Sequence, residues 1–258
     1  MSTRPILVVG DKFAQFSQLD GAINVSKLAA LFDGDAIDGE FPQCVVIGQG
    51  VSEGWLSYLK GRVETRGLPV EFVGEHQIAE RDTLGCSHKK QRRNVLITAP
   101  QKITDTLFQM LLSVDDECEI MSDHTTGHHI QGMVLTEASR QAFLAVTERF
   151  LLPTSENYYF VINKFNVTYH KFAFPVSIRI DFEVTSLDQS RGDRLGAKVA
   201  IRFFQNDDLV CDADVEYTAI LESRLAEREK KIATSTLEAV LNAHPPPVSD
   251  LQEAALTG

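Results

Sequence analysis

The sequence predicts an α+β protein in which an antiparallel sheet wraps a central helix, preceded by a small α/β unit with a short parallel sheet. Three observations carry this reading. Residues 5–74 alternate short apolar runs, such as PILVVG and QCVVIGQG, with helical patterns. Continuous apolar strands separated by helices mark a parallel sheet covered on both faces. Met133 to Phe150 is an apolar stretch of 18 residues without Gly or Pro, enough for a helix of about five turns. Beyond it the period becomes two: Val176, Ile178, Ile180, Phe182 and Val184 alternate with polar residues, as a strand with one wet face requires.

Taken in order, PILVVG (5–10), QCVVIGQG (43–50) and LPVEFVG (68–74) read as three strands, and VSKLAALF (25–32) and EGWLSYLKGRVETRG (53–67) as the helices between them. This unit, residues 1–80, has the look of a degenerate receiver-like or half-Rossmann domain. LVVGDKF lacks the GxGxxG spacing that lets a backbone approach a pyrophosphate, so no nucleotide is expected there. The polar stretch EHQIAERDTLGCSHKKQRRN (75–94) marks the boundary. NVLITA (94–99) and TLFQMLLSVD (106–115) then read as the first two strands of a new sheet. After the long helix come strands over 161–169, 176–184, 197–203 and 209–221, the last three separated by the polar turns DQSRGDRLG and QNDD, a pattern for antiparallel pairing. The second domain spans 88–223. Residues 224–244 read as an amphipathic helix with Leu225, Ile232, Leu237, Val240 and Leu241 along one side, and 245–258, opening on three prolines, as a disordered tail. Two strands, one long helix and a run of long antiparallel strands describe the hotdog fold.

The net charge of −11 argues against nucleic acid and anionic membrane surfaces as partners, since both repel an acidic protein. No apolar run reaches the roughly 20 residues that cross a bilayer, and no signal peptide is read at the start, so the expectation is a cytoplasmic protein. Cys44, Cys86, Cys118 and Cys211 show no CxxC spacing. They read as ordinary buried thiols, neither disulfides nor a zinc site.

The chemistry concentrates in SDHTTGHHIQGMVLTEASRQAFLAV, residues 122–146. His124-Thr-Thr-Gly127, Gly132 and Glu137-Ala-Ser-Arg-Gln141 resemble the HxxG…G…ExxxQ signature of hotdog dehydratases, although HTTG and QG stand where those enzymes carry proline-rich segments. A fuller match is to the AfsA-like hotdog domain of A-factor biosynthesis. Its typical segment is similar to Asp123-His124 followed by His129-Ile-Gln-Gly132-Met133-Val-Leu135-Thr-Glu137-Ala138-Ser-Arg140-Gln141-Ala142. His88-Lys89, before NVLITAP, also resembles the family's leading segment, so the likeness covers about Ser87 to Ser223. It implies an enzyme that takes a β-ketoacyl thioester from an acyl carrier protein or coenzyme A. In type members the acyl group passes to the hydroxyl of dihydroxyacetone phosphate, on the way to γ-butyrolactone signals. Those members carry two such domains in tandem. This chain has one, which implies a homodimer, and no cofactor is implied.

Helix geometry independently puts Glu137, Arg140 and Gln141 on one face. A buried carboxylate must pair with a cation or keep its proton. In either state Glu137 suits acid–base work, with Arg140 orienting it or holding a phosphate or β-keto oxygen by a bidentate contact. The other reading is an ion pair that only fixes the helix. The helix start near Gly132 offers backbone N–H groups to a thioester carbonyl. His124 and His129, matching motif positions, are candidate proton carriers, Asp123 a partner that sets a tautomer, and His128 a loop residue. Adjacent His128 and His129 do not converge easily on one ion, so no metal is expected. The expected catalytic set is Glu137, His124, His129 and Arg140, with Asp123, Gly132, Gln141, His88 and Lys89 binding substrate. The basic run 88–93 reads equally as a dock for an acidic carrier or as a solvated junction. Thioester dehydration, hydrolysis and a non-catalytic acyl-binding or regulatory module remain the alternatives.

Overall fold

The computed structural model describes residues 4–34, 41–122, 126–153 and 156–244. Near the N-terminus, β1 (Ile6–Val9), β2 (Ala22–Asn24), β3 (Cys44–Ile47) and β4 (Glu71–Val73) form a sheet in the order β2-β1-β3-β4, every pair parallel. Four strands stand where the sequence suggests three. Ala-Ile-Asn of β2 runs straight into the following helix, and three residues are too few for a periodic signal. Helix α1 (Val25–Asp33) starts where the Asn24 side chain accepts the Lys27 N–H, and α2 (Glu53–Arg66) where Ser52 accepts that of Trp55. Gly67 ends α2 in the left-handed region, φ 61°, a conformation that favours glycine. Val8, Val25, Leu28, Phe32, Val45, Ile47 and Leu59 fill the core between these elements.

The polar stretch after β4 is structured. It holds the short α3 (His76–Ala79) and a strap, residues 80–94, fastened to the chain that follows it. Arg81 bridges Thr98, buried Asp82 pairs with Arg149, and Arg81 reaches Ser113 and Asp115. After a 3-10 turn that ends at Asn94, the rest of NVLITA joins its neighbours through isolated bridges rather than a ladder, such as Ile97 to Leu112. Its backbone bonds are divided: Thr98 N–H to Leu111 and Ser113 N–H to Leu96 on one side, Ala99 N–H to Glu80 and Asp82 N–H to Ile97 on the other, with the Leu96 N–H taken by the Gln141 side chain and the Leu111 N–H by the Thr98 hydroxyl.

The second sheet comprises β5 (Gln101–Lys102), β6 (Leu107–Leu111), β7 (Tyr158–Tyr169), β8 (Arg179–Arg191), β9 (Arg194–Gln205) and β10 (Asp208–Leu221). Its order is β5-β6-β8-β9-β10-β7, antiparallel throughout. Helix α4 (Gly132–Val146) lies against its inner face, then widens into a π-helical turn over Thr147–Leu151. Val134, Leu135, Ala138, Ala142, Phe143, Ala145 and Val146 of α4 are buried with Phe182, Val199, Ile201, Phe203, Val215 and Tyr217 from alternate positions of the strands. The motif glycine Gly132 lets the Tyr169 ring lie close, since a Cβ there would come 2.9 Å from it and push the ring aside. Helix α5 (Glu222–Ala243) buries only Leu225 and leaves Ile232, Leu237, Val240 and Leu241 exposed. The expected tail 245–258 lies outside the described residues. Among those described, no helix is long and apolar enough to cross a membrane.

Candidate functional site

Along α4 a cleft of about 450 Å³ opens toward β7. Its walls are Ile120, Met133, Ile162 and Phe165, and its polar side is Thr136, Glu137 and Arg140. Residues 133, 136, 137 and 140 share one helix face. Arg140 grips Glu137 with both arms, Nε to Oε2 and Nη2 to Oε1, each at 2.8 Å. Lys89 comes from the strap to place its Nζ 2.6 Å from Oε1. Gln141 Nε2 donates to the same oxygen at 3.1 Å. Of the two states open to a buried carboxylate, Glu137 takes the ion-paired one. Burial pushes its pKa up, but the hydrogen bonds from Arg140, Lys89 and Gln141 outweigh it and hold the carboxyl below its ordinary value. Two cations on one carboxylate leave the cluster with a net positive charge, suited to a developing oxyanion or an anionic substituent.

Gln141 is fully buried. Its carbonyl accepts the Leu96 N–H at 2.8 Å, and its two N–H groups go to the Asn94 carbonyl and to Glu137. With both donors engaged it has none for a substrate. Gln141 therefore positions Glu137 and ties the helix to the strand before β5. Gly132 sits beneath Tyr169, whose hydroxyl donates to the Gly132 carbonyl at 3.0 Å and meets the Thr136 hydroxyl at 2.6 Å. Thr136 and Tyr169 escaped sequence reasoning. Thr136 was visible in principle, four residues before Arg140 on the same face, whereas nothing local in the sequence sets Tyr169 across from Gly132.

The other candidates are dispersed. His88, at φ 51°, points its Nε2 to Glu148 Oε1 at 2.6 Å and packs edge-on against Phe160. Glu148 lines a separate hollow of about 510 Å³ with Cys86, Tyr158, Tyr159 and Glu222. That hollow is larger; its carboxylates include Glu148, which meets His88, and among the described residues it has no counterpart to the Arg140–Lys89 pair on Glu137. His129 is half-buried, its Nδ1 3.2 Å from the Thr126 hydroxyl and its ring 4.7 Å from that of Phe172. Neither contact involves Glu137, Arg140 or Lys89. His128 is exposed. Asp123 and His124 lie outside the described residues. The basic run is largely committed internally: Lys89 to Glu137, Arg92 to Glu53 and to the carbonyls of Arg81 and Asp82, Arg93 to Glu117. Among the described residues no cluster of three or more His, Cys, Asp or Glu is arranged to hold a metal. Cys118 and Cys211 are buried, and burial raises both thiols, Cys211 to about 12. Cys44 and Cys86 are only partly covered, contrary to the reading of four buried thiols.

The A-factor biosynthesis hotdog domain (AfsA) matches residues 76–221, the strap, the candidate cleft and the whole second sheet. No curated protein matches the chain. Solved structures similar to it include a mutant thioesterase from Pseudomonas aeruginosa, 16% identical with a TM-score of 0.41, covering 54% of this chain and 91% of that one. A putative thioesterase related to phenylacetic acid degradation from Ralstonia eutropha is 12% identical with a TM-score of 0.36, covering 46% and 82%. A hypothetical thioesterase from Streptococcus pneumoniae, solved with coenzyme A, is 17% identical with a TM-score of 0.33, covering 47% and 83%. Likenesses of that degree assign no activity. The family match spans more than half of the 258 residues, and the protein belongs to the A-factor biosynthesis (AfsA) hotdog domain family.

Proposed function

We propose that the protein is an acyltransferase that moves a β-ketoacyl group from a carrier or coenzyme A thioester to a hydroxyl acceptor, in the making of a γ-butyrolactone-like signal or related metabolite. The observation that carries this is the apolar-walled cleft with Arg140 and ionised Glu137 on its polar side, Glu137 being held from the strap by Lys89 as well. In this reading Arg140 and Lys89 stabilise the oxyanion as the acceptor oxygen bonds to the acyl carbon. Glu137 Oε2, which accepts from Arg140 Nε, keeps a lone pair to take the hydroxyl proton. The carbon–sulfur bond then breaks, and the proton passes to the departing thiolate. His129, and His124 with Asp123 of the same sequence motif, act as auxiliary proton carriers.

We further propose that a second copy completes the cleft. Among the described residues, strand β7 pairs with β10 alone and leaves an edge of 12 residues open, with Lys164 as its one charged residue. Long edges with few charges invite pairing with another chain. Met133 and Ile162 at the cleft mouth are 61% and 44% exposed, as expected of surfaces that a partner covers. The saturation of Glu137 Oε1 by three donors favours one second reading, a binding module that holds the acyl thioester without turning it over.

The test incubates the protein with a β-ketoacyl thioester and hydroxyl acceptors and follows products by mass spectrometry. An ester of acceptor and acyl group supports transfer. Free acid alone indicates hydrolysis, loss of water dehydration, and saturable binding without product the binding module.

A further inference from the structure

The N-terminal unit has the strand order β2-β1-β3-β4. In open parallel sheets, ligands sit outside the carboxyl ends of the strands where the order reverses, here between β1 and β3. That crevice is filled from within the chain. Asp116, from the connection between β6 and α4, sets Oδ2 3.0 Å from the Lys12 N–H. A Cβ on Gly10 would come within 2.3 Å of Asp116 Oδ1, and one on Gly48 within 2.5 Å of the Pro175 carbonyl. Gly50 exchanges backbone hydrogen bonds with Val114 and Asp116. Buried Gln49 accepts the Val114 N–H and donates to the carbonyls of Leu112 and Val176.

The same surface grips the connection further along. Lys12 Nζ donates to the Met121 carbonyl at 2.7 Å, beside Ile120, a wall of the cleft. The N–H groups of Gln15 and Phe16 both go to the Gly127 carbonyl, two residues before His129. Gly127 is at φ 76°, and a Cβ there would press on Gln15 at about 3.2 Å. We infer that the N-terminal α/β unit is a positioning module for the cleft: the crevice at the ends of β1 and β3 takes Asp116 as an internal ligand, and Lys12, Gln15 and Phe16 set the chain that carries Ile120 and His129. Its ligand site is turned inward, so its service is to geometry rather than to a nucleotide. The inference rests on the proposed acyl-thioester reading only for its effect on turnover.

Two variants test it by hydrogen exchange and steady-state kinetics on the full chain. Gly10 has φ −61° and ψ 161°, open to any residue, so Gly10→Ala acts by evicting Asp116. Lys12→Met removes the bond to Met121, and Lys12→Arg restores a donor. Both disruptive variants are expected to speed exchange at residues 117–122 and 126–131 by about tenfold, leaving amides of β8–β10 unchanged. Turnover falls by about tenfold as the wall and loop shift, and Lys12→Arg recovers most of both. Unchanged exchange in the two stretches, or acceleration spread evenly over the chain, overturns the inference. Should the wild type turn over no thioester, the proposed activity fails while the exchange result still decides the positioning role.

Discussion

Asp116 and Glu137 are two partly buried carboxyls driven in opposite directions. Burial raises Asp116 to about 6, aided by nearby Asp11 and opposed by the Lys12 N–H and charge. A folded pKa above the unfolded value of about 3.9 gives stability that is full below that value and is lost as pH rises through about 6. The melting temperature of the wild type is therefore expected to fall from pH 4.5 to pH 7.5 relative to that of Asp116→Asn. Parallel melting curves across that range would remove the effect. Glu137, held below its ordinary value by Arg140, Lys89 and Gln141, is a carboxylate throughout the neutral range. Its stabilisation is present above the unfolded carboxylate pKa and is lost as pH falls through the lower folded one. Turnover is expected to hold down to the ordinary carboxylate range, and Glu137→Gln to lower kcat by about a hundredfold or more. Arg140→Lys, which keeps the charge but not the two-armed grip, should lose less than Arg140→Ala, measured on the same substrate. The polar stripe Glu137, Arg140 and Gln141 was legible from i,i+3 and i,i+4 spacing alone. That Lys89 completes it depends on the path of the strap, which residue spacing does not encode.

At the scale of elements, α4 binds the site to the sheet. Gln141→Leu would strand the Leu96 N–H and the Asn94 carbonyl and loosen Glu137. The expected cost is about 1–3 kcal/mol in denaturant unfolding, with a rise in KM for an anionic substrate as Lys89 and Arg140 drift. Loss of stability without any kinetic change would confine Gln141 to the core. The long strands were legible because alternating positions such as Ile178, Ile180 and Phe182 are all buried. NVLITA reads as a regular strand, yet its backbone bonds are shared among Glu80, Asp82, Leu111, Ser113 and the Gln141 side chain instead of one neighbouring strand. The stretch 75–94 read as a boundary for its charge, yet those charges are drawn into pairs across the fold, as with Asp82 and Arg149. Polarity marks a linker only where the partners are water.

For the molecule as a whole, the proposal joins assembly to activity through the edge of β7, unpaired among the described residues, and the cleft beside it. Specific turnover is expected to decline on dilution as monomers accumulate, alongside a drop in mass by light scattering. A monomer with undiminished turnover would leave β7 without a partner. The parallel and antiparallel halves were both visible in the period of the hydrophobic pattern, whereas the seating of one on the other was hidden. It depends on Gly10, Gly50 and Gln49 meeting Asp116 and Val114 across more than 60 positions of sequence, contacts without a local signature. The claim on which everything turns is that the Glu137–Arg140–Lys89 cleft transfers an acyl group. Mass spectrometry of a β-ketoacyl thioester incubated with a hydroxyl acceptor reads it directly: the acyl ester is expected from the wild type and its loss in Glu137→Gln, and an equal ester yield from both would contradict the claim.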